Sequence, residues 1–134
     1  MAKNPVLVDS SYYIGQMRRR INPIPRLTYI AEDRDLVVCG VVRTEVGRGI
    51  KDPAFRDALH GYWDVMLNVI TDNKLWRDAE EMAWKLDRTG IMLPLQDIVI
   101  ACCAARVDAV VLTQDKHFAQ IPGCKVAFTP EELY

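Results

Sequence analysis

Short apolar runs alternate with longer amphipathic segments along the whole chain. The runs Pro5–Asp9, Leu36–Cys39, Ala109–Thr113 and Lys125–Phe128 are brief and mostly apolar. Continuous apolar runs of this length are typical of strands that are buried on both faces of a sheet. Val65–Ile70 has the same character, and its pattern fits either a further strand or a continuation of the preceding helix.

Between these runs, apolar residues recur at spacings of three and four, as they do on one face of an α-helix. Ser10 or Ser11 is predicted to cap the first helix, and Thr71 or Asp72 to cap the most regular one. That regular helix is expected to end before Gly90. Its predicted core-facing stripe consists of Leu75, Trp76, Ala79, Met82, Ala83 and Leu86.

The apolar run Ile98–Ala105 predicts a buried helix, because its alanines favour helix although its first residues are β-branched. Helices and strands therefore alternate along the chain. That alternation predicts an α/β fold with a mostly parallel central sheet of four to five strands and helices on both faces. A length of 134 residues fits one domain, and no repeat or linker divides residues 1–134.

The charge composition excludes some classes of protein. The chain has 17 basic and 18 acidic residues and a net charge of −1, which excludes a uniformly basic nucleic-acid-binding protein and an acidic tail protein. An enzyme that acts on nucleic acid is still compatible, since its charges can be segregated locally. No signal-peptide pattern opens the chain, and no apolar run approaches the about 20 residues of a membrane helix. We therefore expect a cytoplasmic protein.

The cysteines and histidines form no zinc-binding pattern. None of Cys39, Cys102, Cys103 and Cys124 belongs to a CxxC pair, and the chain has only 2 histidines. The cysteines are interpreted as buried thiols of a reducing compartment. His117 is interpreted as a surface residue at the start of a helix, with contact to a substrate as the alternative.

Four acidic residues lie where the predicted strands end or the following helices begin. Asp9 closes the first strand, Glu45 follows the second, Asp97 precedes the apolar helix, and Asp115 lies just beyond Ala109–Thr113. Ligands bind beyond the carboxyl ends of the strands in open α/β sheets, so these carboxylates are expected to converge. Converging like charges need a cation, and Mg²⁺ and Mn²⁺ prefer oxygen ligands. The sequence thus predicts a divalent metal site.

Each of these acids also has an ordinary structural interpretation. Asp97 could be a helix N-cap, Asp115 a turn residue and Glu45 a solvated helix residue. Asp9 is harder to explain in this way, because a carboxylate that ends a buried strand is costly to bury without a partner. The joint pattern favours one metal site over four separate explanations.

The stretches around the four acids resemble the PIN domain family. The resemblance is carried by Val6–Ser11, Arg43–Gly47, Leu95–Ala101 and Val110–Phe118. It extends over nearly the whole chain and is weak over Phe55–Ile70. Size and layout are most similar to the VapC-type toxin ribonucleases of VapBC toxin–antitoxin systems.

The resemblance implies an Mg²⁺- or Mn²⁺-dependent endoribonuclease, the toxin of a type II toxin–antitoxin pair. It implies that one or two ions are bound by Asp9, Glu45, Asp97 and Asp115. Asp9 and Asp97 are expected to be the most direct ligands. Ser11 and Thr113 match small polar positions that support the site. The family also implies a homodimer and a small antitoxin protein that blocks the active site.

One dense basic cluster consists of Arg18, Arg19 and Arg20, with Arg26 nearby. Its arginines could contact RNA phosphates, which would position a substrate without reading its sequence. They could equally bind carboxylates of an antitoxin. The structural alternative is that they are cations favoured at the C-terminus of a helix.

Two other functional classes fit parts of the pattern. A non-catalytic PIN-like RNA-binding or scaffold protein would share the fold, but the presence of all four acids argues against it. A phosphoacceptor receiver domain also places acids around Mg²⁺ at strand ends. It would need paired acids near its first strand and a lysine after a later one, whereas Asp9 has no acidic neighbour and Lys116 directly follows Asp115.

Overall fold

A parallel sheet forms the centre of the protein, whose computed structural model describes residues 3–134. Within those residues its strands are β1 (Val6–Val8), β2 (Leu36–Cys39), β3 (Leu67–Val69), β4 (Val110–Leu112) and β5 (Val126–Ala127). Their order in the sheet is β3-β2-β1-β4-β5, and every neighbouring pair is parallel. The predicted α/β fold with a parallel sheet is confirmed, and the ambiguous run Val65–Ile70 supplies an edge strand.

The helices that connect the strands are α1 (Ser10–Arg18), α2 (Ile24–Ala31), α3 (Gly40–Gly47), α4 (Pro53–Asp64), α5 (Asn73–Arg88) and α6 (Leu95–Arg106). Short 3₁₀-helices follow at Lys116–Gln120 and Pro130–Leu133. The strands are added outward from β1 to β3, and the chain then crosses back over the sheet to β4. With the right-handed crossovers that parallel sheets almost always have, α1–α4 cover one face, and α5 and α6 cover the other. In the described part of the chain, no helix has the length and apolar content to cross a membrane.

Aspartate side chains cap α1 and α5, the two helices for which the sequence predicted a cap. The carboxylate of Asp9 accepts a hydrogen bond from the backbone N–H of Ser11 and so caps α1. The prediction that Ser10 or Ser11 is the cap was therefore wrong, because β1 passes into α1 with no intervening loop. Asp72 caps α5 by accepting from the N–H of Leu75, which decides between the two predicted caps.

Helix α5 packs against α6 through a narrower stripe than its periodicity predicts. Leu75, Ala79 and Leu86 are buried, whereas Trp76 is 44% exposed. Trp76 follows Leu75 directly and therefore points about 100° away from it around the helix. The prediction of a core position for Trp76 was wrong, because it lies at the margin of the stripe.

The interior joins α1 to α4 through one aromatic pair. Tyr13 and Trp63 are both fully buried, and their rings meet edge to face with centroids 5.7 Å apart. The indole Nε1–H of Trp63 donates to the Tyr13 hydroxyl at 3.1 Å. The pair fills a large volume and satisfies a buried donor that has no access to water.

Tyr13→Phe should lower the free energy of unfolding by about 1–3 kcal/mol, because the buried indole N–H of Trp63 loses its acceptor. Urea denaturation followed by far-UV circular dichroism measures the change. Tyr29→Phe removes the same atom from an exposed ring and should stay within about 0.5 kcal/mol of the wild type. Equal midpoints for the two variants would contradict the role of the buried hydrogen bond.

Candidate metal centre

Asp9 lies at the carboxyl end of the central strand and is only 2% exposed. Strands β1 and β4 pair with Val8 opposite Leu112, so Asp9 comes next to Thr113 where both strands end. The Oδ2 atom of Asp9 accepts from the hydroxyl of Ser11 at 2.6 Å and from that of Thr113 at 2.8 Å. These bonds hold a buried carboxylate in one orientation at the edge of the sheet.

The same two hydroxyls fasten the segment after β4 to Asp9. Ser11 Oγ accepts from the backbone N–H of Gln114, and Thr113 Oγ1 accepts from that of Asp115, both at 2.9 Å. A hydroxyl has one proton to donate, and each proton here is directed to Asp9. Each hydroxyl therefore donates to Asp9 and accepts from the following turn, which fixes Asp115 relative to Asp9.

Glu45 joins Asp9 through a third hydroxyl. Ser10 Oγ lies 2.9 Å from Glu45 Oε1 and 3.4 Å from Asp9 Oδ1. Glu45 is carried by α3, which begins directly after β2 and packs against α1. The short strand-to-helix connections thus bring two acids that are 36 positions apart in the sequence to the same edge of the sheet.

Asp97 and Asp115 form the other side of the cluster, with His117 between them. Nδ1 of His117 lies 2.8 Å from Asp97 Oδ2 and 3.1 Å from Asp115 Oδ1. Asp97 is the third residue of α6, whose N-cap position is occupied by Pro94, so its carboxylate does not serve as the cap. Asp115 caps the 3₁₀-helix through the backbone N–H of His117.

The electrostatics of the cluster indicate an excess of negative charge. Burial, together with the carboxylates of Asp115 and Asp9, raises the pKa of Asp97 to about 6, although the hydrogen bond with His117 opposes this shift. The same hydrogen bond raises the pKa of His117 above its ordinary value. A bound cation would relieve this repulsion.

The donor set fits a divalent cation. Asp97, Asp115 and His117 each offer one ligand atom, and these atoms all lie within 4.8 Å of one another. Asp9 and Glu45 add carboxylate oxygens across the cluster. Carboxylates suit Mg²⁺ and Mn²⁺, and imidazole suits transition metals.

The structure brings together the six residues that the sequence singled out around the metal site: Asp9, Ser11, Glu45, Asp97, Thr113 and Asp115. Sequence reasoning missed Ser10 as the bridge to Glu45 and underrated His117. The proximity of His117 to Asp115 along the chain was the available signal for the second of these.

The predicted arginine cluster lies apart from the acids. Arg18 is the last residue of α1, whose first turn is capped by Asp9. A helix of nine residues is about 13 Å long, which separates the two ends. Arg26 forms an ion pair with Glu131 and so fastens α2 to the last 3₁₀-helix. Arg18, Arg19 and Arg20 are exposed, and no ion pair is recorded for them within residues 3–134.

A second basic surface lies closer to the acids and was not predicted. A groove between α3 and α4 is lined by Arg43, Thr44, Gly47, Arg48, Ile50, Arg56 and His60. We call it the α3–α4 groove. Arg48 comes one helical turn after Glu45, so the groove begins beside the acidic cluster. Its arginines are scattered in the sequence, and only the packing of α3 on α4 makes them one surface.

Comparison with known proteins identifies the class to which this fold and site belong. The model of the PIN domain family matches residues 6–123, and the chain belongs to that family. Membership decides against the receiver-domain alternative. No curated protein sequence matches the chain significantly.

Solved structures of similar fold include toxin–antitoxin complexes. The DNA-bound VapBC complex of Salmonella typhimurium contains a chain that is 19% identical, with a TM-score of 0.74 over 95% of this chain and 98% of that one. VapBC2 of Rickettsia felis gives 16% identity and a TM-score of 0.74, over 91% and 96%. FitAcB of Neisseria gonorrhoeae gives 16% and 0.66, over 94% and 98%. At these identities the likeness establishes the fold.

Asp97→Asn should reverse its effect on stability when a cation is added. In EDTA the variant should melt at or above the wild-type temperature, because it removes one charge from a repulsive cluster. With free Mn²⁺ at about 100 times its Kd, the wild type should gain about 2.7 kcal/mol that the variant lacks. Thermal denaturation measures both conditions. Asp57→Asn, at a side chain that is 80% exposed, should match the wild type in both, and an Asp97→Asn variant stabilised equally by Mn²⁺ would refute the site.

Proposed function

We propose that the protein is an Mg²⁺- or Mn²⁺-dependent endoribonuclease that hydrolyses phosphodiester bonds in RNA. The observation that carries the proposal is the convergence of Asp9, Glu45, Asp97 and Asp115 at the carboxyl edge of the sheet. Membership of the PIN domain family supports nuclease chemistry. The expected products are a 5′-phosphate and a free 3′-hydroxyl.

Asp9 and Asp97 would hold the metal directly, and Glu45 and Asp115 directly or through water. When bound, one or two divalent cations would neutralise charge on the scissile phosphate and activate water for in-line attack. The protein's own contribution is to fix the carboxylates before the substrate arrives. Ser11 and Thr113 do this for Asp9 by donating to a single oxygen, Oδ2.

The α3–α4 groove supports a nucleic-acid substrate. No acidic residue lines it, and within residues 3–134 its Arg48 has no recorded ion pair. Arg43 is already paired with Asp64 at 2.9 Å, whereas Arg56 lies 4.0 Å from Asp57, at the limit of an ion pair between exposed side chains. We therefore assign Arg48 and Arg56 to RNA phosphates. Phosphate contacts of this kind position a strand without specifying its sequence.

We also propose that the protein is the toxin of a type II toxin–antitoxin pair, acting in the cytoplasm as a homodimer. The similar folds in VapBC complexes support an antitoxin partner. A mainly apolar hollow beside the α3–α4 groove supports it further. Met17, Ile21 and Phe55 line the hollow together with Arg20 of the predicted arginine cluster, and Ile50 lines both the hollow and the groove. An antitoxin segment with apolar residues could lie there and cover the approach to the acids.

Asp9→Asn and Asp97→Asn should each abolish RNA cleavage while the protein stays folded. We expect rates to fall by at least about 100-fold, more than is typical when only the orientation of a metal ligand is lost. Cleavage of total RNA in Mg²⁺ or Mn²⁺ provides the measurement, and EDTA should abolish it. Asp35→Asn is the control, because Asp35 is exposed and lies just before β2, at the opposite edge of the sheet from the acids. Undiminished cleavage by either variant would contradict the assignment of Asp9 and Asp97 to the metal site. RNA binding by the wild type without cleavage in either metal would favour the scaffold alternative.

Replacing both Arg48 and Arg56 by Gln should weaken RNA binding and flatten its salt dependence. Each lost phosphate contact with a single strand lowers the slope of log K against log salt by about 0.7. Binding of a fluorescent oligonucleotide to the Asp97→Asn protein avoids cleavage during the titration. Replacing Arg18 and Arg19 by Gln changes the charge equally at a distance from the acids. If that pair reduces the slope and the groove pair does not, the assignment of the two basic surfaces is reversed.

A further inference from the structure

His117 is placed against the acids by the structure of the chain around it. Asp115 accepts from the backbone N–H of His117 at 2.9 Å, and the next residue, Phe118, is fully buried in the core. The imidazole is thus held from both sides, although 41% of the side chain is exposed. Its Nδ1 atom points toward the acids.

The distances around Nδ1 are those expected between neighbouring ligands of one ion. Two adjacent ligands of an octahedral ion, each bound at about 2.1 Å, lie about 3.0 Å apart. Nδ1 lies 2.8 Å from the oxygen of Asp97 and 3.1 Å from that of Asp115. In the absence of a cation, the proton on Nδ1 occupies the space between the imidazole and the carboxylates, since Nδ1–H donates to one of these oxygens. The imidazole and the two carboxylates therefore already have the spacing of a coordination group.

A histidine in this position changes the chemistry of the donor set. Mg²⁺ takes oxygen ligands, whereas imidazole nitrogen binds first-row transition ions. Mn²⁺ is the weakest binder of that series, but it accepts a nitrogen ligand more readily than Mg²⁺ does, so an imidazole shifts the choice between these two ions toward Mn²⁺. Neutral imidazole also adds no negative charge to a cluster that is already repulsive. Within the described residues, no hydrogen bond to a protein group occupies Nε2 of His117, so Nδ1 can become a ligand while Nε2 carries the proton in water.

We propose that His117 is a further metal ligand through Nδ1, and that it makes the centre prefer Mn²⁺ to Mg²⁺. The proposal rests on the metal centre of the proposed function, and it concerns the identity of one ligand and the resulting choice of ion. It assigns to His117 a role beyond substrate contact or a surface position.

Metal binding, rather than cleavage, tests this inference. Free Mn²⁺ is counted by electron paramagnetic resonance during titration of the full chain, and Mg²⁺ affinity is obtained by competition. His117→Ala should weaken Mn²⁺ binding by at least about 10-fold and change Mg²⁺ binding much less. His117→Asp restores an all-oxygen set, so it should bind Mg²⁺ at least as well as the wild type and lose the preference for Mn²⁺.

A spectroscopic signature separates a ligand from a residue that only orients the acids. Pulsed electron paramagnetic resonance of bound Mn²⁺ should show coupling to a histidine ¹⁴N in the wild type and not in His117→Ala. The chain has only 2 histidines, so His60→Gln is the matched control and should retain the coupling. Far-UV circular dichroism checks that each variant is folded. If His117→Ala is unfolded, His117→Asp still tests the preference for Mn²⁺ over Mg²⁺.

The outcomes distinguish this inference from the proposal beneath it. A nitrogen coupling that persists in His117→Ala, or an Mn²⁺ to Mg²⁺ preference that is the same in wild type and His117→Asp, overturns the role of His117 alone. Wild-type protein that binds neither ion overturns the metal centre and this inference together. Mn²⁺ binding that is lost in Asp97→Asn and weakened in His117→Ala supports both.

Discussion

The hydrogen bonds of one buried carboxylate, Asp9 at the end of the central strand, are the interactions on which the rest of the site depends. Asp9 caps α1, accepts the hydroxyl protons of Ser11 and Thr113, and shares the Ser10 hydroxyl with Glu45. An unpaired carboxylate in this position would be strongly destabilising. Its hydrogen bonds therefore bring α1, α3 and the turn after β4 together at one edge of the sheet.

The clustering of the acids lowers the stability of the fold and favours the binding of a cation. Folding buries Asp97 and brings it close to Asp115 and Asp9, and these two effects, burial first, raise its pKa. The hydrogen bond with His117 offsets only part of the shift. The remaining negative potential makes the cluster selective for cations. A core with more complete compensation would fold more tightly and bind metal less well, which is the usual conflict between stability and function in an active site.

The sequence predicts the parallel sheet and the four acids of the site, but not the residues that connect and surround those acids. Strand β2 has the predicted bounds, and acids at strand ends identify the edge where they converge, because short buried strands have a strong local pattern. Other features depend on how the helices pack, which periodicity does not specify. They are the cap at Asp9, the exposure of Trp76, and the groove that brings Arg48 and Arg56 together. His117 was underrated because its partner Asp97 is 20 positions away in sequence.

The hydrogen bond from Thr113 to Asp9 joins residues 104 positions apart, and this separation bears on synthesis. A ribosome makes the chain from its N-terminus, so Asp9 is made early and waits for β4 before its carboxylate has both hydroxyl partners. Asp97 and Asp115 also arrive late. The cluster therefore cannot assemble on a nascent chain until β4 and the turn after it have emerged, and long-range pairings of this kind form slowly. A nascent or prematurely ended chain that lacks β4 therefore lacks the complete acidic cluster.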